Sequence, residues 1–106
     1  MARILIAEDE EDIRNLITFI LNFSGHEVIA TSNGEQAIQA SIQKKPDLVL
    51  LDIRMPRMSG YDACEYIKQN EVTKNIPVVF LSAKGQDSEI RTGFEKGAQK
   101  YILKPF

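Results

Sequence analysis

Short apolar runs that stop abruptly at a polar residue are the feature that most narrows the folds open to this chain. Arg3-Ile4-Leu5-Ile6-Ala7 stops at Glu8, Leu48-Val49-Leu50-Leu51 at Asp52, Pro77-Val78-Val79-Phe80-Leu81 at Ser82, and Tyr101-Ile102-Leu103 at Lys104. Runs this short, without polar alternation, suit strands buried on both faces of a parallel sheet. Glu27-Val28-Ile29-Ala30 offers a further short strand. Helical stripes lie between the runs. Ile13, Leu16, Ile17, Ile20 and Leu21 form one, ended by Ser24-Gly25. Asn33-Gly34 opens a second with Ala37, Ile38, Ser41 and Ile42 inward, stopping before Pro46. A loop with Pro56 and Gly60 leads to a third through Tyr61, Ala63, Cys64 and Ile67, and Gln86 to Lys96 is a weaker fourth. Strands alternating with helices imply an α/β fold, a doubly wound parallel sheet with right-handed crossovers.

The 106 residues make room for one domain, with no repeat or linker. Hydrophobic residues at 43% and charged residues at 26% are ordinary for a globular chain. A net charge of -2 without a Lys/Arg run gives no footprint for direct nucleic-acid binding. No apolar run resembles a signal peptide or a membrane span, and the lone Cys64 suits a reducing compartment, so a cytoplasmic chain is expected. Cys64 itself reads as a buried, inert thiol on the apolar stripe of its helix. His26, just after Ser24-Gly25, reads as a solvated loop side chain.

In sheets of this kind, function collects where the strands end at their carboxyl side. Those ends carry Glu8 and Asp9, then Asp52, then Ser82 and Ala83, and last Lys104. Clustered carboxylates repel one another unless a cation or protons neutralise them. A hard divalent ion, Mg2+ by preference, is the natural neutraliser. A carboxylate held beside it can serve as a nucleophile toward phosphorus, with Lys104 and Ser82 taking up phosphoryl oxygens. Glu10, Glu11 and Asp12, by contrast, read as an acidic first helical turn that offsets the helix dipole.

The stretches Ile4 to Asp9, Asp47 to Pro56 with Met58-Ser59-Gly60, Pro77 to Ala83, and Tyr101 to Phe106 together resemble the receiver domains of two-component response regulators. The resemblance implies a flavodoxin-like five-stranded sheet in the order 2-1-3-4-5. It implies Asp52 as the phosphoacceptor, and a metal site for Mg2+ made by Glu8, Asp9, Asp52 and the backbone carbonyl of Arg54. Ser82 becomes the hydroxyl that moves toward the phosphoryl group, Lys104 its charge partner, and Tyr101 with Ala83 the switch region. The partner implied is a sensor histidine kinase, and the chain is expected to be a switch rather than an enzyme. Any output domain or downstream protein stays open.

Two departures accompany the resemblance. The acidic pair is Glu-Asp where Asp-Asp is commoner, and residues 1–106 contain no final helix of the kind receivers place beside the first. The expectation is a receiver truncated before that helix, with one sheet face left open to self-association. Alternatives remain: a truncated or engineered scaffold that never signals, a flavin-binding module, or an aspartate-nucleophile phosphatase. The flavin reading lacks a glycine-rich phosphate loop after the first strand. The phosphatase reading wants an acid two residues past the nucleophile, where Arg54 stands.

Overall fold

A computed structural model describes residues 1–82 and 100–103. The strands are β1 (Arg3–Ala7), β2 (Glu27–Thr31), β3 (Leu48–Asp52), β4 (Val78–Ser82) and β5 (Lys100–Leu103), and the helices α1 (Glu11–Phe23), α2 (Gly34–Lys44) and α3 (Gly60–Gln69). All strand pairs are parallel, in the order β2-β1-β3-β4-β5. The doubly wound parallel sheet expected from the apolar runs is found, in the flavodoxin-like order that the resemblance implies. The expected helix from Gln86 to Lys96 lies outside the described residues.

The central strands bury alternate residues on opposite faces, which is why their sequences show no polar alternation. Leu5, Ala7, Val49, Leu51, Val78 and Phe80 pack with Ala37 of α2 and Ala63, Cys64 and Ile67 of α3. Ile4, Ile6, Leu50, Val79 and Leu81 pack on the other face with Ile17 of α1. Tyr61 meets Phe80 edge-on at 5.3 Å between ring centroids, a favourable aromatic geometry.

Helix boundaries follow local chemistry. Asn33 caps α2, its side chain accepting the Gln36 N–H, and Ser59 caps α3 by accepting the Asp62 N–H. After α1, Gly25 takes φ 89° and lets the His26 N–H return to the Leu21 carbonyl at 3.0 Å.

Two expectations need correction. Of the α1 stripe, only Ile17 is buried and Ile13 and Leu21 are partly buried, while Leu16 and Ile20 stay exposed beside Phe19 and Phe23. The five residues read as one stripe thus divide between a face packed on the sheet and an exposed one. His26 is not a solvated loop residue either. It is half-buried, and its Nδ1 accepts the Ala2 N–H at 3.1 Å, tying the amino end of β1 to the turn after α1.

Candidate functional site

The register of the sheet decides which polar residues meet. Ala7 of β1 pairs with Leu51 of β3, so the next residues, Glu8 and Asp52, leave the sheet side by side. Asp52 in turn pairs with Leu81, and Ser82 with Leu103. Glu8, Asp9 and Asp52 each offer a carboxylate oxygen, and these atoms lie within 4.8 Å of one another. The convergence expected of these three acids is therefore present. Glu8 and Asp52 are buried, at 0% and 5% exposure, while Asp9 faces solvent.

Backbone hydrogen bonds hold this edge in place. The Glu8 N–H donates to the Thr31 carbonyl at 3.1 Å, and the buried Thr31 hydroxyl donates to the Ile6 carbonyl at 2.7 Å. On the other side, the Ile53 N–H donates to the Leu81 carbonyl at 3.3 Å and the Gly60 N–H to the Ile53 carbonyl at 2.8 Å. The loop from β3 to α3 thus folds back onto the end of its own strand. Gly60 makes this possible. A Cβ there would overlap the Asp52 carbonyl oxygen and stand 2.9 Å from Ile53 Cα. The same loop places Arg57 at φ 69°, in the left-handed region.

The donor set suits a hard cation. Three carboxylates in one cluster present oxygens alone, and two of them are withdrawn from water, where their mutual repulsion is poorly screened. Mg2+ takes a few carboxylate oxygens and keeps several waters, and the exposed side of Asp9 leaves an open approach. Among the described residues no soft or nitrogen ligand joins this cluster: Cys64 is buried on the inner face of α3, and burial pushes its thiol up to about 11, opposed by the Lys68 ammonium and aided by the Glu65 carboxylate.

The other expected site residues stand as follows. Arg54 is exposed in the loop after β3. Ser82 ends β4, and Tyr101 lies in β5 opposite Phe80. Ala83 and Lys104 lie outside the described residues. The structural roles of two residues escaped the sequence reading. Gly60 stands there as a loop glycine and in the Met58-Ser59-Gly60 match, but its close approach to the strand end leaves no mark on composition. Arg14, whose Nη1 donates to the Glu8 carbonyl at 2.9 Å, carried one signal: it is the sole Lys or Arg between Arg3 and Lys44.

Known proteins with this arrangement agree with one another. The family description "Response regulator receiver domain" matches residues 4–106. The phosphate regulon transcriptional regulatory protein PhoB of Pseudomonas aeruginosa is 41% identical over 97% of this chain and 45% of its own length. The alkaline phosphatase synthesis transcriptional regulatory protein PhoP of Bacillus subtilis is 36% identical over 98% of this chain and 42% of its own. The chain thus spans less than half the length of these curated relatives. Among solved structures, chemotaxis protein CheY4 of Vibrio cholerae superposes with a TM-score of 0.96 at 25% identity, covering 100% of this chain and 88% of that one. The receiver domain of sensor histidine kinase PA1611 from Pseudomonas aeruginosa, solved with a magnesium ion coordinated in its active-site cleft, gives 0.92 at 28% identity, covering 99% and 86%. No described helix is long and apolar enough to cross a membrane. Sheet order, acidic cluster and matched family coincide over nearly the whole chain, which belongs to the response regulator receiver domain family of two-component signalling.

Proposed function

We propose that this receiver is a signalling switch that accepts a phosphoryl group on Asp52 from the phosphohistidine of a sensor histidine kinase, with Mg2+ bound by Glu8, Asp9 and Asp52. The observation that carries the reading is the meeting of these three carboxylates within 4.8 Å at one sheet edge. The magnesium ion in the cleft of the PA1611 receiver supports the choice of metal.

When bound, Mg2+ supplies charge compensation for the carboxylates and for the phosphoryl oxygens. Asp52, held at the end of β3, directs a carboxylate oxygen at phosphorus. The new P–O bond forms as the P–N bond to the donor imidazole breaks, and the imidazole leaves as the neutral ring after taking up a proton. In this reading the buried Glu8 would act on the metal through water, while Asp9, Asp52 and the Arg54 carbonyl would hold it directly. Lys104 and Ser82 would take the remaining phosphoryl oxygens, with Ala83 as part of the switch region. Tyr101 reports the shift of Ser82 by changing rotamer. A few such contacts, made only after phosphorylation, bias a two-state element. By likeness to the transcriptional regulators named above, the controlled output is gene transcription through a region outside this chain.

The test is chemical labelling. Incubated with Mg2+ and a small acyl phosphate, the chain is expected to gain one phosphoryl group by intact mass, and the label is expected to be lost in Asp52→Asn and on removal of Mg2+. An unlabelled wild type, or an Asp52→Asn chain labelled equally, refutes the assignment.

A further inference from the structure

Arg14 lies in the first turns of α1, its own N–H bonded to the Glu10 carbonyl at 2.9 Å. The Thr18 hydroxyl donates to the Arg14 carbonyl at 2.7 Å. From this anchored backbone the half-buried side chain reaches back six residues, and Nη1 donates to the Glu8 carbonyl oxygen at 2.9 Å. A guanidinium bond to a carbonyl is charge-assisted and stronger than its neutral counterpart.

The carbonyl of Glu8 and the N–H of Asp9 belong to one planar peptide unit. The opposite side of Glu8 is fixed as well, because its own N–H donates to Thr31. With both flanking peptide units held, little rotation remains about Glu8 or at the start of Asp9. Those two residues send one carboxylate into the protein and the other toward solvent, yet both contribute oxygens to the same cluster. We propose that Arg14 is a positioning residue of the metal site: by clamping the Glu8–Asp9 peptide it presets the two carboxylates before the cation arrives. This rests on the Mg2+ reading given under the proposed function.

The proposal has a sign that simple charge effects oppose. A guanidinium near the site repels a divalent cation, so electrostatics alone makes binding tighter when Arg14 is neutralised. Loss of a clamp makes it weaker. The 106-residue chain is titrated with MgCl2 by calorimetry, and its Tm is measured without metal. Arg14→Met is expected to raise the Kd for Mg2+ about tenfold, as loss of an outer partner of a metal ligand does. It should also move the metal-free NMR resonance of the Asp9 amide. Arg14→Lys, which keeps the charge and one donor, is expected to fall between the two. Thr18→Ala loosens the same helical turn without touching Glu8, so its Tm should fall while its Kd stays within about twofold of wild type. Should Arg14→Met fail to fold, Arg14→Gln carries the same expectation. A Kd unchanged or lowered in the neutral variant overturns the clamp, as does an equal weakening in Thr18→Ala. A wild-type chain that binds no Mg2+ instead overturns the metal reading, and the clamp falls with it.

Discussion

The two ends of the sheet use the same residue types for opposite ends. At the amino side, Asp47 just before β3 accepts the Arg3 N–H at 2.8 Å, and its own N–H donates to the Arg3 carbonyl at 2.7 Å. Arg3 also pairs with Glu27 at 3.0 Å and caps α2 at the Lys44 carbonyl, while His26 holds the Ala2 N–H. Five residues along the same strand, Asp52 leaves β3 among carboxylates of its own sign. At one end the acids lie apart, Asp47 on the Arg3 N–H and Glu27 on the Arg3 side chain, and at the other three carboxylates share one cluster. A fold gains nothing from massed acids, so their grouping is what the proposed metal and phosphoryl site rests on, while the other end ties the strands together.

The strongest way to break this division is through the backbone at the acidic end. Gly60→Ala forces a methyl group into the Asp52 carbonyl and the Ile53 Cα. Neither is the free end of a flexible side chain, so the loop must move. An overpacked site of this kind is expected to lose about 3 kcal/mol, read as a lowered urea midpoint, with Mg2+ binding lost alongside. A Gly60→Ala chain with wild-type stability shows instead that the loop yields without consequence.

Mg2+ sharpens the same contrast from the other direction. A ligand that binds only the folded state adds stability, about 1.4 kcal/mol at ten times its Kd. The expected rise in Tm disappears in Asp9→Asn, because an exposed ligand of the cluster is lost, and persists in Asp47→Ala. Without metal, the two aspartates should differ in sign. Asp47→Ala removes the acceptor of the Arg3 N–H and is expected to cost about 1 kcal/mol. Asp9→Asn relieves like-charge repulsion and is expected to add about half that. Equal and opposite salt dependence of the two variants accompanies this, since exposed charges are screened. If both variants lose stability without metal, the acidic end is held together by bonds rather than merely tolerated.

Much of this architecture was legible in the sequence because it depends on patterns that survive in one dimension. Ile4 to Ala7 and Leu48 to Leu51 announce doubly buried strands, and Asn33 announces a helix start, each by local chemistry. Glu8, Asp9 and Asp52 were recognisable because strand ends in a parallel sheet converge. What escaped depends on distances across the fold. His26 was read as solvated because its partner, Ala2, lies 24 residues away. Leu16 and Ile20 were grouped with Ile17 in one stripe because period alone cannot say how far around the helix the sheet reaches. Arg14 and Gly60 act through carbonyl groups, and backbone acceptors carry no residue identity to read.

Between the two polar ends lies an apolar layer, and Cys64 reports whether it is as dry as the contrast requires. The side chain is fully buried beside Ala63, Ile67 and the strands, and burial pushes the thiol up from its usual 9.0 to about 11. An unfolded chain ionises near the usual value and the folded chain near the raised one, so between them the unfolded state releases a proton that the folded state keeps. Stability is therefore expected to be unaffected below pH 9 and to fall as pH rises from 9.0 toward about 11. Tyrosines and lysines titrate in the same range, so the quantity to measure is the difference between wild type and Cys64→Ala. The variant carries a constant cavity penalty but no thiol, and the gap between the two chains should narrow with rising pH. At pH 8 the wild-type thiol should also resist alkylation until the chain is unfolded. Rapid labelling of the native protein, or a gap that does not change with pH, shows water reaching Cys64 and an interior less dry than the separation of the two ends demands.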